Sequence, residues 1–177
     1  MGWKNLYTNL NESLSDKQLK TMCDSIYYDI YYQEAMPWEY ELGIIYFISD
    51  GNKIKIGKTL APNIYQRITQ LQTGNPNRLI LLGYIMVTDG YEYLNAVESL
   101  LHKRYKRFQK KGEWFDLPDN IFDVDNCLKD FDLITTDKFL EYETEFYING
   151  DSTHNEIKYY YEESEEIHIF NNRRKKN

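Results

Sequence analysis

The chain reads GIIYFISDGNKIKIGKTL at residues 43–60. The first seven of these residues are apolar and largely β-branched, which favours a strand, and the Asp-Gly-Asn that follows is typical of a hairpin turn. The next residues alternate, so that the isoleucines point inward while Lys53 and Lys55 lie on the other face. Gly57 marks a place where a side chain would obstruct something close to the backbone.

Four further elements complete a central domain at residues 43–117. A proline opens a predicted helix at residues 62–72, and residues 79–87 are apolar enough for a central strand. A long helix is predicted at residues 91–108, followed by a short extended piece at 113–117. This order of elements predicts an α+β domain in which helices flank a three-stranded sheet.

The two flanking segments are predicted to surround this domain. Residues 1–42 form a helical N-terminal arm, with one helix capped by Ser15. Residues 118–177 form an acidic C-terminal extension with a basic tip, with a helix predicted at 124–134 and another short element at 137–147. The acidic, tyrosine-rich remainder fits either a pair of strands or a disordered segment.

The charge of the chain is unevenly distributed. The total is −7, which at first argues against nucleic acid as a partner. Residues 43–117, however, hold 11 Lys/Arg against 6 Asp/Glu, whereas residues 1–42 hold 3 against 7 and residues 118–170 hold 3 against 15. Because local charge decides whether a phosphate backbone is attracted, the basic central domain is compatible with DNA binding.

Several classes of protein are disfavoured by simple counts. The chain has no run of about 20 apolar residues and no apolar signal-peptide core at its start, so we expect no membrane segment. Cys23 and Cys127 lie far apart without metal-type spacing; they could form one bridge, but reduced thiols are favoured. We therefore expect a cytoplasmic or nuclear protein. The abundance of Asn, Lys, Ile and Tyr is compatible with an AT-rich genome. Such a genome could be viral, in which case the protein would act in an infected cell.

The central domain carries residues suited to phosphodiester chemistry. It lacks a phosphate-binding P-loop, because the sequence around Gly57 has no upstream glycine of that motif, and it lacks a zinc-type Cys/His cluster. Phosphodiester cleavage uses a carboxylate that holds a divalent ion, cations that offset phosphate charge, and a base that deprotonates water. The residues available for these roles are Tyr46, Lys55, Lys58, Arg67 and Glu98.

These residues resemble the motifs of the GIY-YIG nuclease superfamily. The matching motifs, in order, are Gly43-Ile44-Ile45-Tyr46, Lys55-Ile56-Gly57-Lys58, Arg67 and Glu98. The sequence is most similar to the phage and large-DNA-virus branch, whose second motif often reads Lys-Ile-Gly. That branch also has Glu-x-x-x-His, here Glu98 and His102, followed by Gly-Glu-Trp-Phe at residues 112–115. The resemblance covers residues 43–117.

The resemblance implies a DNA endonuclease that uses one metal ion. Tyr46 would be the general base or proton shuttle for the attacking water, and Arg67 would neutralise charge on the scissile phosphate. Glu98 would bind Mg²⁺ or Mn²⁺, since Mg²⁺ is commonly held by one or two carboxylates together with waters and phosphate. His102 shares a helix face with Glu98 and is a further candidate catalytic residue.

The sequence departs from the superfamily pattern at two places. The second tyrosine of the superfamily is Lys55 here, which either holds phosphate, lowers the pKa of Tyr46 or signals weak catalysis. The asparagine that closes many such sites has only positional candidates, Asn120 and Asn126. Glu113 is interpreted as a structural or hydrogen-bonding residue.

A basic run follows the predicted site. Its members are Lys103, Arg104, Lys106, Arg107, Lys110 and Lys111. Such a run is either a solvated helix face or a track for the DNA backbone, and its place beside the candidate site favours DNA contact, together with Lys58.

Two other interpretations are retained. The first is an inactive module that keeps the fold and binds DNA or a protein. The second is an interaction protein whose acidic, tyrosine-rich surface at residues 118–170 imitates nucleic acid or engages a protein partner. In an endonuclease the same segment would cover the basic face, which would limit off-target binding or dock a protein partner. Each candidate also has a structural interpretation, namely a core tyrosine for Tyr46, a solvated charge for Arg67 and a surface pair for Glu98 with His102.

Overall fold

The computed structural model describes residues 1–33, 42–88 and 90–141, with residues 27–33 described by their backbone alone. The strands, in chain order, are β1 Gly43–Ser49, β2 Ile54–Leu60, β3 Ile80–Val87, β4 Gln109–Lys111, β5 Trp114–Phe115 and β6 Ile134–Thr135. The helices are α1 Trp3–Ser13, α2 Asp16–Gln33, α3 Ile64–Gln72, α4 Tyr91–Arg104, α5 Ile121–Val124 and α6 Asn126–Asp130. Two 3-10 turns, Ala61–Asn63 and Lys106–Phe108, precede α3 and follow α4.

The strands form one antiparallel sheet in the order β4-β5-β2-β1-β3-β6. The predicted α+β class is confirmed, but the sheet has six strands among the described residues and not three. The three long strands β1, β2 and β3 are the predicted ones. The additional strands have only two or three residues each. Hydrophobic alternation cannot reveal strands this short, because a period of two residues needs several repeats to be visible.

The hairpin between β1 and β2 forms as its sequence predicts. Asp50 Oδ1 accepts hydrogen bonds from the backbone amides of Asn52 and Lys53, both at 2.9 Å, and Gly51 takes a φ of +88°. An aspartate that bonds the backbone two residues on, followed by a glycine with positive φ, is a stable tight turn. Lys55, predicted on the face opposite the inward isoleucines, is itself buried, with 7% of its surface exposed.

Helix α2 begins with a capping box. The Ser15 hydroxyl accepts a hydrogen bond from the Gln18 amide at 3.2 Å, and the Gln18 side chain accepts from the Ser15 amide at 2.8 Å. This reciprocal pair satisfies two amides that have no partner within the helix. The predicted cap at Ser15 is therefore confirmed, and Leu19, Met22 and Cys23 of the same helix are buried.

Helix α1 was not predicted, and residues far along the chain bind both of its ends. At its start the Lys4 amide donates to Asp119 Oδ1 at 2.8 Å. A side chain on Gly2 would collide with the same carboxylate, at 1.9 Å. Beyond its end Arg78 donates to the carbonyls of Asn11 and Leu14, at 2.9 and 2.7 Å. An anion at the start of a helix and a cation at its end both complement the helix dipole.

The predicted helix at residues 124–134 is wrong, because two short helices and a strand occupy this region. Asp125 is extended between α5 and α6, and its side chain accepts from the amides of Cys127 and Leu128. An aspartate in this conformation starts a new helix and interrupts the preceding one. Residues 136–141 are helical, and the remainder of the element predicted at 137–147 lies outside the described residues.

Residues Met1–Phe139 form one compact unit, and Leu140–Asn177 form a second, of which the structure describes residues 140–141. The predicted division at residues 42 and 117 stays a prediction. In the ranges that the structure describes, none of the helices has the length together with the apolar character needed to cross a membrane.

Candidate functional site

The phenol ring of Tyr46 lies at the centre of the sheet. Tyr46 of β1 lies opposite Gly57 of β2 and Tyr84 of β3. The Tyr46 side chain is fully buried. Opposite residues of antiparallel strands project to the same face, so the ring lies across Gly57. A Cβ atom on Gly57 would come within 2.4 Å of the Tyr46 hydroxyl oxygen. The close approach expected at this glycine is therefore made by the tyrosine.

Arg67 joins α3 to this tyrosine. Ile64 and Ile68 anchor α3 in the core, and Arg67 Nε donates a hydrogen bond to the Tyr46 hydroxyl at 3.2 Å. Burial raises the pKa of Tyr46, and the hydrogen bond and charge of Arg67 oppose that effect without cancelling it. The pKa of the phenol thus stays above its ordinary value of 10.0, and the hydroxyl is protonated at neutral pH.

Glu98 lies on the buried side of α4, and Lys58 of β2 neutralises it. Leu94, Val97 and Leu101 hold this helix in the core. Glu98 is 9% exposed, and Lys58 Nζ donates to its Oε2. A carboxylate this buried needs a hydrogen-bonded cation, which the structure supplies from the strand that also carries Gly57.

His102 is fixed one helical turn beyond Glu98. Its Nε2 lies 2.8 Å from the carbonyl oxygen of Ile56, and its ring lies 5.3 Å from that of Phe115. A carbonyl can only accept, so Nε2 carries the proton of this bond and His102 is bonded to the backbone of β2.

Glu113, interpreted from the sequence as a structural or hydrogen-bonding residue, does accept a hydrogen bond, but its partner was not predicted. Lys55 Nζ donates to Glu113 Oε2 at 2.5 Å, and the backbone of the two strands pairs beside this contact. The Lys55 side chain is 8% exposed and that of Glu113 is 42% exposed. The Gly-Glu-Trp-Phe motif was the available signal, but the partner lies 58 residues away in the sequence.

The charged groups act on one another across the site. Burial raises the pKa of Glu113, but the hydrogen bond and charge of Lys55, with the charges of His102 and Arg67, bring it below its ordinary value. The charges of Glu113 and Glu98 in turn help raise the pKa of Tyr46. Arg67 is the cation that lowers the pKa of Tyr46. This effect was one of the roles considered for Lys55.

The basic run extends over three elements. Helix α4 ends at Arg104, four residues before the predicted end, so the six cations do not share one helix face. All six are exposed. At least four of them have partners: Arg104 pairs with Asp125 at 3.0 Å, Lys110 with Asp116 at 3.5 Å, Lys106 donates to Gln109 at 2.5 Å, and the Arg107 guanidinium lies 4.5 Å from the centre of the Phe108 ring.

The two candidate asparagines are not brought to the site by any hydrogen bond in the described ranges. Asn120 precedes α5 and Asn126 is the first residue of α6. The role of a closing asparagine is not assigned to either.

The donor set suits a hard cation that keeps most of its waters. Among the residues that the structure describes, no three His, Cys, Asp or Glu side chains are grouped as metal ligands. Glu98 contributes one carboxylate, which is enough for Mg²⁺ bound mainly by water and phosphate oxygens. Lys58 would have to leave this carboxylate for an ion to bind there.

Comparison with known proteins places the chain in a family. No curated protein and no solved structure matches it. The family model of the T5orf172 domain matches residues 43–132, just over half of the chain, and includes every residue described above for the site. The protein therefore belongs to the T5orf172 domain family, whose domain is found in phage and nuclease-like proteins.

Proposed function

We propose that this protein is a DNA endonuclease of the GIY-YIG type, which hydrolyses a phosphodiester bond with one divalent metal ion. The observation that carries the proposal is the hydrogen bond from Arg67 to the Tyr46 hydroxyl, with Glu98 on the helix that follows. It joins a buried phenol to a cation, next to a carboxylate, in a domain whose family includes nuclease-like proteins.

Tyr46 and Arg67 have complementary roles in this mechanism. Tyr46, as the phenolate, takes a proton from the attacking water while the water oxygen bonds to phosphorus and the bond from phosphorus to the leaving oxygen breaks. The leaving oxygen takes up a proton from solvent, and the Tyr46 proton later returns to solvent. Arg67 binds a non-bridging oxygen of the phosphate. A phenol with a raised pKa is a poor base in the free protein. Arg67 opposes the rise of its pKa without cancelling it, so ionisation of Tyr46 depends on further positive charge that arrives when substrate and a divalent ion bind.

Glu98 would hold the Mg²⁺ or Mn²⁺, which supplies charge neutralisation at the phosphate and lowers the pKa of bound water. Lys58 would have to leave Glu98 for an ion to bind there, and its ammonium would then be available for a phosphate oxygen. Lys55 and His102 complete the cationic side of the site.

DNA contact is proposed to be mainly to phosphates. The exposed cations from Lys103 to Lys111 extend away from the site over α4, the following 3-10 turn and β4. Phosphate contacts of this kind make affinity fall steeply with salt. The protein partner expected for the acidic segment 118–170 stays a prediction, since residues 142–170 lie outside the described residues.

One observation favours a second candidate, a binding module of the same fold without turnover. Lys58 already neutralises Glu98, and Lys55 replaces the second tyrosine of the superfamily. A module of this kind would bind DNA without a requirement for Mg²⁺ and would tolerate loss of Glu98.

The test is cleavage of supercoiled, linear and branched DNA with Mg²⁺ or Mn²⁺. Wild type is compared with Glu98→Gln and with a matched control, Glu92→Gln, which removes an exposed carboxylate from the first turn of the same helix. We expect Glu98→Gln to lower the cleavage rate by roughly 100-fold or more, as losing a catalytic charge-stabilising group commonly does. Glu92→Gln should cleave like wild type.

The outcomes separate the two candidates. Cleavage lost in Glu98→Gln alone supports the endonuclease. No cleavage by wild type, with DNA still shifted in a gel without metal, supports the binding module. Equal cleavage by all three proteins would refute the assignment of Glu98.

A further inference from the structure

The Lys55–Glu113 pair joins a fixed cation to an anion on a short hairpin. Lys55 lies in β2, between Ile54 and Ile56, both fully buried. Glu113 follows Gly112, which takes a φ of +55°, in the turn between β4 and β5. The backbone of the turn is held, since the Glu113 carbonyl accepts a hydrogen bond from the Ile56 amide at 3.1 Å, but the Glu113 side chain is partly exposed and is free to change rotamer.

The surroundings of this carboxylate are those of an anion site. Lys55 contacts it directly at 2.5 Å, and the charges of His102 and Arg67 also act on it. Lys55 is the least exposed of these cations, and a buried ammonium is strongly stabilised by an anionic partner. Glu113 supplies that partner while leaving two fifths of its own side chain in solvent.

We infer that the Glu113 carboxylate is a displaceable occupant of a phosphate-binding site built on Lys55. A phosphate that enters takes over the hydrogen bond of Lys55, and the Glu113 side chain swings out into solvent while its backbone stays bonded to β2. The chemistry favours this exchange because a phosphate group offers more charge and more acceptor oxygens than one carboxylate. The inference rests on the proposed function only in naming DNA as the natural source of the phosphate.

The exchange has a measurable cost to affinity. A site that its own carboxylate occupies for most of the time binds a ligand more weakly, in proportion to the fraction of molecules in which the site is open. If Glu113 occupies the site for about nine tenths of the time, removing its charge tightens phosphate binding about tenfold. Glu113 would therefore weaken the binding of free phosphate. A phosphate group that belongs to a larger ligand, with further contacts to the protein, would still displace Glu113.

The test measures binding of inorganic phosphate, without DNA or metal, from the phosphate dependence of the melting temperature. Glu113→Gln, which keeps the shape of the side chain, is compared with wild type. The matched control is Asp116→Asn, which removes the same charge from the same hairpin. Asp116 differs from Glu113 in that its partner is the exposed Lys110. The double variant Lys55→Met/Glu113→Gln reports whether any gain depends on Lys55.

We expect Glu113→Gln to bind phosphate about tenfold more tightly than wild type, Asp116→Asn to bind like wild type, and the double variant to lose the gain. Equal binding by Glu113→Gln and Asp116→Asn would overturn the inference and make Glu113 a permanent counter-ion. A gain that survives in the double variant would overturn it as well. If Glu113→Gln does not fold, Glu113→Asp applies the same test, because its shorter side chain keeps the charge and withdraws it from Lys55.

This readout is independent of the endonuclease proposal. Tighter phosphate binding by Glu113→Gln in a protein that never cleaves DNA supports the inference and refutes the proposed function. DNA cleavage by wild type, without tighter phosphate binding by Glu113→Gln, would support the proposed function and refute the inference.

Discussion

Arg78, just before β3, donates four hydrogen bonds to residues 11–16, whereas Arg67 of α3 donates one, to the Tyr46 hydroxyl. Two of the acceptors of Arg78 are backbone carbonyls near the end of α1, so its hydrogen-bonding capacity is used to hold the N-terminal helices. Among the described residues, Tyr46 is the acceptor that the structure gives to Arg67. Arg78 is thus committed to structure, and most donors of Arg67 remain for a ligand.

The same contrast holds for the regions around the two arginines. At the junction of α1 with the sheet, Trp3 is fully buried, its indole nitrogen donates to the Leu117 carbonyl at 3.2 Å, and Tyr7 donates to the Arg78 carbonyl at 2.9 Å. These contacts involve apolar area and neutral groups, beside the hydrogen bonds of the charged Arg78. The candidate site instead brings together one phenol, two carboxylates and four basic side chains, those of Lys55, Lys58, Arg67 and His102. Burying charges adds little to stability, so the buried Lys55 and Glu98 make this region a candidate for function.

The largest expected effect is at the junction. Trp3→Ala should lower the free energy of unfolding by about 3–5 kcal/mol, because it removes a fully buried aromatic side chain and leaves a cavity. Urea denaturation measures this change. Asn5→Ala, an exposed substitution in the same helix, should stay within about 0.5 kcal/mol of wild type. A loss below about 1 kcal/mol for Trp3→Ala would show that α1 does not depend on the core.

A direct comparison of the two arginines comes next. Arg78→Met keeps the apolar stem, removes the guanidinium and leaves the carbonyls of Asn11 and Leu14 without this donor, so we expect a loss of about 1.5–3 kcal/mol. Arg67→Met leaves one group, the hydroxyl of the buried Tyr46, without this donor, so it should cost about 1 kcal/mol in the same urea titration, less than Arg78→Met, while abolishing DNA cleavage. Equal losses of stability in the two variants would contradict the division of roles.

Much of the fold could be predicted because its signals are local. The β1–β2 hairpin follows from alternation and an Asp-Gly turn, and the cap at Ser15 needs only a residue three positions away. Tyr46, Arg67 and Glu98 were singled out by their residue types and by the resemblance to superfamily motifs, and the structure brings Arg67 into contact with Tyr46. The partner of Glu98, by contrast, was not predicted, although Lys58 was itself a candidate.

What could not be predicted depends on partners far apart in the sequence. Helix α1 carries Trp3, Leu6 and Leu10 at helical spacing, a readable signal, but the residues that bind its two ends lie more than 60 positions away. The contact of Lys55 with Glu113 spans 58 positions. Lys55 in place of the superfamily tyrosine indicates that the chemistry of the site differs. The fold is needed to identify Glu113 as the carboxylate that pairs with this lysine.

The smallest effect concerns how the two regions respond to acid. Burial raises the pKa of Glu113 and Lys55 lowers it, with His102 and Arg67 adding to the decrease, so the net pKa in the folded protein is below the ordinary 4.5. A carboxyl with a lowered pKa adds stability above its unfolded value and loses that contribution as pH falls through its folded value. The difference in unfolding free energy between wild type and Glu113→Gln should therefore be constant from pH 7 to about pH 5 and shrink below pH 4.5.

The junction should behave differently over the same range. Arg78 donates to backbone carbonyls of Asn11 and Leu14, which do not titrate, so most of the destabilisation in Arg78→Met should persist at pH 3.5. Urea midpoints at four or five pH values measure both differences. Because Glu113 is partly exposed, solvent screens its pair and the decrease will be modest. If the unfolding free energies of wild type and Glu113→Gln differ by the same amount down to pH 3, Lys55 and Glu113 are not paired in solution. The contrast between the structural junction and the charged site would then lose its main support on β2.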